Sequence, residues 1–271
     1  MMMNHTLAQL RELKLVGMAT AVEEQLSGSA STALCFEERL ALMVDREVHL
    51  RGDKRRAGLL KRAQLKYPQA CIEDVDGRAG RGFERPALMS LALSRWVEDG
   101  NAILITGPTG SGKSWLACAL AQYACRRGQS ALYLRAPRLA EELRIQHGNG
   151  GFSRWLATVA RTEVLILDDW GLAALDGPTR SDLLEIIDDR AGTRATIVTS
   201  QLPVEHWHAW IGDATIADAI LDRLLSRGQR LALKGKSLRP DKQTSTASAA
   251  STADPATAQI STREARQDPM S

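Results

Sequence analysis

The order of hydrophobic and polar residues divides the chain into a helical first quarter and a remainder in which strands and helices alternate. From residue 5 to about residue 66, apolar side chains recur at helical spacing, which predicts helices with one apolar face. Gly17 interrupts the first stretch, so we expect two short helices before a longer one that begins at Phe36. Beyond Pro240 the residues Ser, Thr and Ala dominate. We expect this tail to be disordered because it cannot bury apolar surface.

Five short apolar runs follow the helical quarter, each of a length that suits a buried strand. They cover residues 101–106, 130–135, 164–169, 194–200 and 230–233. Segments rich in helix-forming residues separate them, and this alternation is typical of an α/β fold. We therefore predict a doubly wound parallel sheet of five strands. We expect the fourth strand to lie between the first and the third.

A phosphate-binding loop follows the first predicted strand. It reads G-x-x-x-x-G-K-S and consists of Gly107, Pro108, Thr109, Gly110, Ser111, Gly112, Lys113 and Ser114. The glycines allow successive backbone N–H groups to converge on one triphosphate. Lys113 places a cation at the β- and γ-phosphates, and the Ser114 hydroxyl suits Mg²⁺. A helix is predicted directly after the loop, with its positive end facing the phosphates. The sequence therefore predicts ATP and Mg²⁺ as cofactors.

Two adjacent carboxylates end the third predicted strand. The run Val164, Leu165, Ile166, Leu167 precedes Asp168 and Asp169. We expect Asp168 to hold Mg²⁺ through its waters and Asp169 to polarise the attacking water. Most ATPases with this pattern carry Glu at the second position. Because Asp is one methylene shorter, the sequence predicts weaker activation of water and slow turnover.

Polar residues also end the fourth predicted strand. Gln201 is our candidate for contact with the γ-phosphate or the attacking water, with Thr199 and Ser200 as weaker candidates. A plain turn at the end of a strand is the alternative interpretation of the same residues. If parallel strands place their carboxyl ends at one edge of the sheet, these side chains meet the loop there.

The helix predicted over residues 216–225 carries Arg223 near its end, and Arg227 follows it. A planar guanidinium suits the phosphate of a nucleotide held by a neighbouring subunit, as an arginine finger. The alternative is an ion pair within the chain, with Asp218 or Asp222 as the partner. The residues alone leave both possibilities open.

Overall charge does not single out a partner, but local charge does. The chain has a formal net charge of +3, whereas residues 46–66 hold eight basic and two acidic residues. A solvated helix face is one explanation of this run, and contact with the phosphate backbone of DNA is the other. The candidate DNA contacts are Arg51, Lys54, Arg55, Arg56, Lys61 and Arg62.

Cysteine and hydrophobic content suggest where the protein works. The four cysteines form no C-x-x-C pair, so we expect reduced thiols in the cytoplasm rather than a disulfide framework or a zinc site. No run reaches about 18 consecutive apolar residues, and we therefore predict no membrane span and no membrane partner. The N-terminus lacks the basic-then-apolar pattern of a secretory signal.

Taken together, the motifs resemble the IstB-like helper ATPases of insertion-sequence transposons, a branch of the AAA+ superfamily close to the DnaC helicase loaders. The resemblance extends from residue 5 to about residue 238. It rests on residues 36–42, 71–74, 105–110, 165–171, 199–207, 211–213 and 217–224. The phosphate-binding loop alone would be unspecific, whereas this set of stretches is highly specific.

The resemblance implies a function and a domain organisation. In that family, ATP-bound subunits assemble as a homo-oligomer on double-stranded DNA, bend it, and recruit and stimulate a separate transposase. Arg223 matches the arginine finger of that family. The resemblance also favours the interpretation of the basic segment, residues 51–66, as a DNA contact. The implied domains are a helical partner-binding or DNA-binding domain at residues 1–67, an AAA+ domain at residues 68–240, and a tail at residues 241–271.

Two other functions remain open at this point. A replicative helicase loader shares the ATP-binding core and differs in its partner. A nucleotide-gated adaptor with negligible turnover is the second, because the short side chain of Asp169 leaves hydrolysis in question.

Overall fold

The computed structural model describes residues 2–28, 33–75, 82 and 84–235. The predicted tail, residues 241–271, lies outside the described residues. All described residues belong to one compact unit, so a domain boundary at residue 67 stays a prediction. None of the helices in these described ranges is both long enough and apolar enough to cross a membrane.

Three helices form the N-terminal quarter: α1 (Met2–Glu12), α2 (Val16–Ser27) and α3 (Phe36–Ala63). The break between α1 and α2 does not fall at Gly17, as predicted, but at residues 13–15, where Lys14 has a φ of 61°. Gly17 is buried inside α2. A Cβ there would lie 2.7 Å from the Cα of Glu47, so glycine allows α2 to pack closely against α3.

The five predicted strands are confirmed to within one residue at either end. They are β1 (Ala102–Thr106), β2 (Ala131–Arg135), β3 (Val164–Trp170), β4 (Ala195–Ser200) and β5 (Gln229–Ala232). All pair in parallel, in the order β2-β3-β4-β1-β5. The predicted position of β4 between β1 and β3 is therefore also confirmed. Because these strands run in parallel, the loop that follows β1 lies at the same edge of the sheet as the carboxyl ends of β3 and β4.

Seven further α-helices in the part of the chain that the structure describes cover the two faces of the sheet. They are α4 (Arg85–Leu93), α5 (Lys113–Arg126), α6 (Ala136–Gly148), α7 (Phe152–Arg161), α8 (Gly177–Arg190), α9 (Trp207–Ile211) and α10 (Ala214–Leu225). One buried core joins α4, α5 and the end of α3 to the sheet, and a second joins α6 to α10 to the opposite face. The doubly wound arrangement is confirmed.

The segment before the sheet packs into the first core. Ile72 lies in a short 3-10 turn, Ile72–Asp74, and is completely buried with the residues of α5. A fully buried Ile side chain stabilises such a core by about 2 kcal/mol, so this segment has a packing role.

Candidate nucleotide-binding site

The loop between β1 and α5 has the backbone that its glycines predict. The φ angles of Gly107, Gly110 and Gly112 are 149°, 82° and 93°, values that disfavour any residue with a side chain. A Cβ on Gly107 would lie 2.5 Å from the carbonyl oxygen of Leu233, just beyond β5. The Gly107 N–H also donates to the Ser200 carbonyl at the end of β4 (3.2 Å). The loop is therefore fixed against both neighbouring strands.

The donors of this loop suit a polyphosphate. Lys113 is 8% exposed, and its Nζ donates to the carbonyls of Gly107 and Pro108 at 2.8 and 2.9 Å. The buried Oγ of Ser111 has no hydrogen-bond partner within the described residues, although a buried hydroxyl is normally paired. Helix α5 begins at Lys113 after Gly112, which has no side chain to cap it. An anion with several oxygens would satisfy these groups together.

Ser114 and Asp168 meet beneath the loop. The Ser114 hydroxyl donates to Oδ1 of Asp168 at 2.7 Å, and the Thr199 hydroxyl donates to the same oxygen at 2.5 Å. Tyr133 donates to Oδ2. Hydroxyl and carboxylate oxygens are ligands that Mg²⁺ prefers, usually with phosphate oxygens completing the shell. The pair therefore fits a magnesium ion bound next to a nucleotide.

The charge of Asp168 is kept despite complete burial. Burial raises the pKa of this carboxyl, but hydrogen bonds from Thr199, Tyr133 and Ser114 and the charge of Lys66 outweigh it, so the pKa lies below its ordinary value. For Tyr133, burial and the hydrogen bond to Asp168 raise the pKa. The carboxylate is therefore anionic at neutral pH, and the phenol remains a donor to it.

Asp169 has different partners from Asp168 and is held by an arginine. The pairing between β3 and β4 slips after Leu167, and Asp169 adopts a φ of 61°. Its Oδ2 accepts two hydrogen bonds from Arg135 at the end of β2, from Nη2 at 2.7 Å and from Nε at 3.2 Å. The hydrogen bond and charge of Asp169 raise the pKa of Arg135. The candidate for polarising water is thus engaged in an ion pair.

Three tryptophans fix the turn that follows Asp169. Trp170 is 1% exposed, and its ring centroid lies 5.6 Å from that of Trp207 and 4.9 Å from that of Trp210. The Ser200 hydroxyl donates to the Trp170 carbonyl at 2.6 Å. The buried Trp207 therefore has a packing role.

The end of β4 reaches both the loop and the carboxylate. The Thr109 hydroxyl of the loop donates to Oε1 of Gln201 at 2.7 Å, whereas Thr199 contacts Asp168. The structure therefore brings Gln201 to the loop and Thr199 to the Asp168 carboxylate. Whether Gln201 contacts a γ-phosphate stays a prediction.

Arg223 lies on α10 and pairs within the chain. Its guanidinium donates to Asp188 of α8 and to the Ala219 carbonyl of its own helix (2.9 Å). The predicted alternatives for an internal partner, Asp218 and Asp222, are wrong, because Asp188 comes from a neighbouring helix that the local sequence does not reveal. Asp218 instead pairs with His208 at 3.3 Å.

The basic residues of α3 divide into paired and unpaired ones. Arg51 pairs with Glu47 at 2.6 Å and Arg56 pairs with Asp53, while Arg55 donates weakly to the Gly128 carbonyl at 3.4 Å. Among the bases of α3, the exposed side chains of Lys54, Lys61 and Arg62 form no hydrogen bond or ion pair with the described residues. These three are the members of the predicted DNA-contact set that are available to a ligand.

Three residues of this site were not predicted: Lys66, Tyr133 and Arg135. Arg135 lies in register with Asp168 across the β2–β3 pair, so the end of β2 was a possible signal. That signal becomes usable only when β2 is known to neighbour β3. The contact of Lys66 with Asp168 has no local sequence signal.

The strand order, the loop at the end of β1 and the carboxylates at the end of β3 define a P-loop nucleotide-binding domain of the AAA+ type. Residues 8–247 match the IstB-like ATP-binding protein family. The chain is 57% identical over 203 residues to the ATP-binding protein of insertion sequence IS1162 from Pseudomonas fluorescens, covering 75% of this chain and 88% of that protein. An insertion-sequence ATP-binding protein of Sinorhizobium fredii, y4pL, is 46% identical over 243 residues, covering 90% and 99% respectively.

Among solved structures, the DnaC helicase loader superposes with a TM-score of 0.53 at 21% identity, over 62% of this chain and 99% of that chain. This likeness concerns the fold. The match to the family model and the identity to both relatives establish membership: the chain belongs to the IstB-like ATP-binding proteins of insertion sequences.

Proposed function

We propose that the chain binds and slowly hydrolyses ATP, and that the bound nucleotide drives its assembly on double-stranded DNA as a helper of the transposase of its insertion sequence. The observation that carries the nucleotide part is the contact of Ser114 with the buried, charged Asp168 directly beneath the loop lysine. Lys113 and the loop N–H groups bind the phosphates, and Ser114 and Asp168 hold magnesium. When bound there, magnesium neutralises charge on the phosphate oxygens during transfer.

Hydrolysis is slow because the Asp169 carboxylate is already paired with Arg135 and is not free to orient a water molecule. This carboxylate accepts two hydrogen bonds from Arg135 and has to leave this ion pair in order to orient a water molecule. Gln201, held by Thr109 at the loop, completes the group around that water. An adaptor with negligible turnover is the second candidate, and the same ion pair favours it.

Phosphate release separates these two candidates. The full chain is assayed with ATP and Mg²⁺, with and without duplex DNA, beside Asp169→Asn and Lys113→Ala. We expect Lys113→Ala to lose nucleotide binding, and Asp169→Asn to keep binding and lose turnover. Turnover in wild type that did not exceed the Lys113→Ala background, with nucleotide binding intact, would support the adaptor. Equal and measurable turnover in wild type and Asp169→Asn would contradict the role of Asp169, and unchanged binding in Lys113→Ala would contradict the site itself.

DNA binds along the exposed basic face of α3. Lys54, Lys61 and Arg62 have no acidic partner among the described residues, and phosphates of a duplex would supply one. Replacing Lys54, Lys61 and Arg62 by alanine weakens DNA binding by about tenfold or more at moderate salt and flattens its salt dependence. Binding that stayed unchanged would move the DNA site elsewhere.

Subunits associate through the nucleotide. Arg223 exchanges Asp188 for the γ-phosphate held by a neighbouring copy, since a guanidinium matches a phosphate at least as well as a carboxylate. The homo-oligomer is thus dependent on ATP and DNA. A pull-down tests the partner: we expect the transposase of the same insertion sequence to be retained, and recovery of a replicative helicase instead would contradict the assignment.

A further inference from the structure

One base of the α3 region, Lys66, reaches the nucleotide site with its ammonium group, although its side chain remains 33% exposed. It follows α3 by three residues, and its Nζ lies 3.5 Å from Oδ2 of Asp168. The same ammonium group lies 5.6 Å from the centroid of the Tyr67 ring. A side chain from the N-terminal helices therefore contacts the carboxylate that ends β3.

The turn that carries Lys66 is held firmly. Gln64 adopts a left-handed φ of 50° and ends α3. On either side of it, Ala63 and Leu65 are buried in the core that contains α5. The backbone at Lys66 is therefore fixed relative to the end of α3, so a displacement of this backbone would act on α3, because the core leaves the turn little freedom to absorb it.

The two oxygens of Asp168 have separate sets of donors. Oδ1 accepts from the hydroxyls of Ser114 and Thr199, and this is the side that fits a metal ion. Oδ2 accepts from Tyr133 and Lys66. A completely buried carboxylate attracts both the ammonium group and a metal ion, while these two cations repel one another across it.

We propose that Lys66 is a positioning residue of the nucleotide site, which competes with the metal ion for Asp168 and transmits the occupancy of the site to α3. The second half of this proposal rests on the proposed binding of DNA along α3. Lys66 thereby belongs to the nucleotide site and not to the DNA-contact surface formed by the exposed bases of the helix.

The test is a magnesium titration of the full-length chain with a fluorescent, non-hydrolysable ATP analogue. The variant Lys66→Met keeps the aliphatic stem and removes the charge. We expect its magnesium midpoint for analogue binding to fall by about tenfold, within the range typical of coupled sites. Lys66→Arg keeps the charge, and its midpoint should stay within about twofold of wild type, as a role in charge requires.

Lys14→Met is the matched control, because it removes an exposed lysine of the same N-terminal segment and should leave the midpoint unchanged. Thermal unfolding monitors the fold, and Lys66→Gln provides a second neutral variant. A midpoint in Lys66→Met and Lys66→Gln that was unchanged or higher would overturn the proposal.

Duplex DNA is the second arm of the same titration. We expect DNA to shift the magnesium midpoint of wild type and to have no effect on that of Lys66→Met. An equal shift in both proteins would overturn the link to α3. A wild-type chain that bound no analogue would overturn the proposed function together with this inference, whereas normal analogue binding with an unchanged Lys66→Met midpoint would overturn the inference alone.

Discussion

Removing the arginine that holds Asp169 should accelerate ATP hydrolysis. In Arg135→Met, the carboxylate loses two hydrogen bonds and an ion pair whose side chains are 36% and 17% exposed. Charge-assisted hydrogen bonds are worth about 1.5–3 kcal/mol when well shielded, but solvent screens this pair and reduces its value to about 1 kcal/mol. If Asp169 must leave Arg135 before it orients water, this free energy is part of the barrier, and its removal raises turnover about fivefold.

The assay is the release of phosphate at saturating ATP and Mg²⁺. Arg138→Met is the matched control, since Arg138 is an exposed arginine three residues along the chain, at the start of α6, and it should leave turnover unchanged. Thermal unfolding checks that both variants are folded. Turnover in Arg135→Met that equalled wild type, or fell below it, would refute the reasoning that the ion pair restrains Asp169.

Three further predictions concern the fold that supports the site. Gly107→Ala places a Cβ 2.5 Å from the Leu233 carbonyl oxygen at a positive φ, so urea unfolding should show that the free energy of unfolding falls by about 2 kcal/mol or more. Gly177→Ala is the control: it has open space around the new Cβ and should change the free energy of unfolding by under about 0.5 kcal/mol. Burial raises the pKa of Cys118 and Cys125 to about 11, so both thiols should resist a thiol reagent at pH 7 until the protein unfolds; rapid labelling of the native protein at either would contradict this. Burial raises the pKa of Glu47, but hydrogen bonds from Arg51, Met18 and Gly17 leave it below its ordinary value. The stabilisation is present at pH 7 and is lost as the pH falls through that lowered pKa. Glu47→Gln should therefore be less stable than wild type at pH 7, and the difference should shrink as the pH falls below the ordinary range of a Glu carboxyl; a difference that did not depend on pH would contradict a role for the Glu47 charge.

The elements of the nucleotide site could be predicted because their signals are local. The loop from Gly107 to Ser114 needs a strand before it and a helix after it, and both are visible in the adjacent residues. The same holds for Asp168, which ends an apolar run. These signals fix which residues lie at the carboxyl edge of the sheet, since parallel strands share that edge.

The contacts that restrain the site could not be predicted, because they join residues far apart in sequence. Lys66 and Asp168 are separated by 102 positions, and Arg135 and Asp169 by 34. A lysine within a run of basic residues gives no local indication of whether its ammonium group contacts the solvent or the nucleotide site. Gly17 shows the converse: the residue was interpreted as a helix break from its propensity, whereas its role is the close packing of α2 on α3.

The central claim is that nucleotide controls assembly on duplex DNA, and single-particle mass measurement tests it directly. The full chain is mixed with a duplex of defined length, with or without Mg²⁺ and a non-hydrolysable ATP analogue. The account predicts complexes of several subunits per duplex when nucleotide and magnesium are both present, and dispersed protein when either is omitted or when Lys113 is replaced by alanine. The same mass distribution under all of these conditions would contradict it.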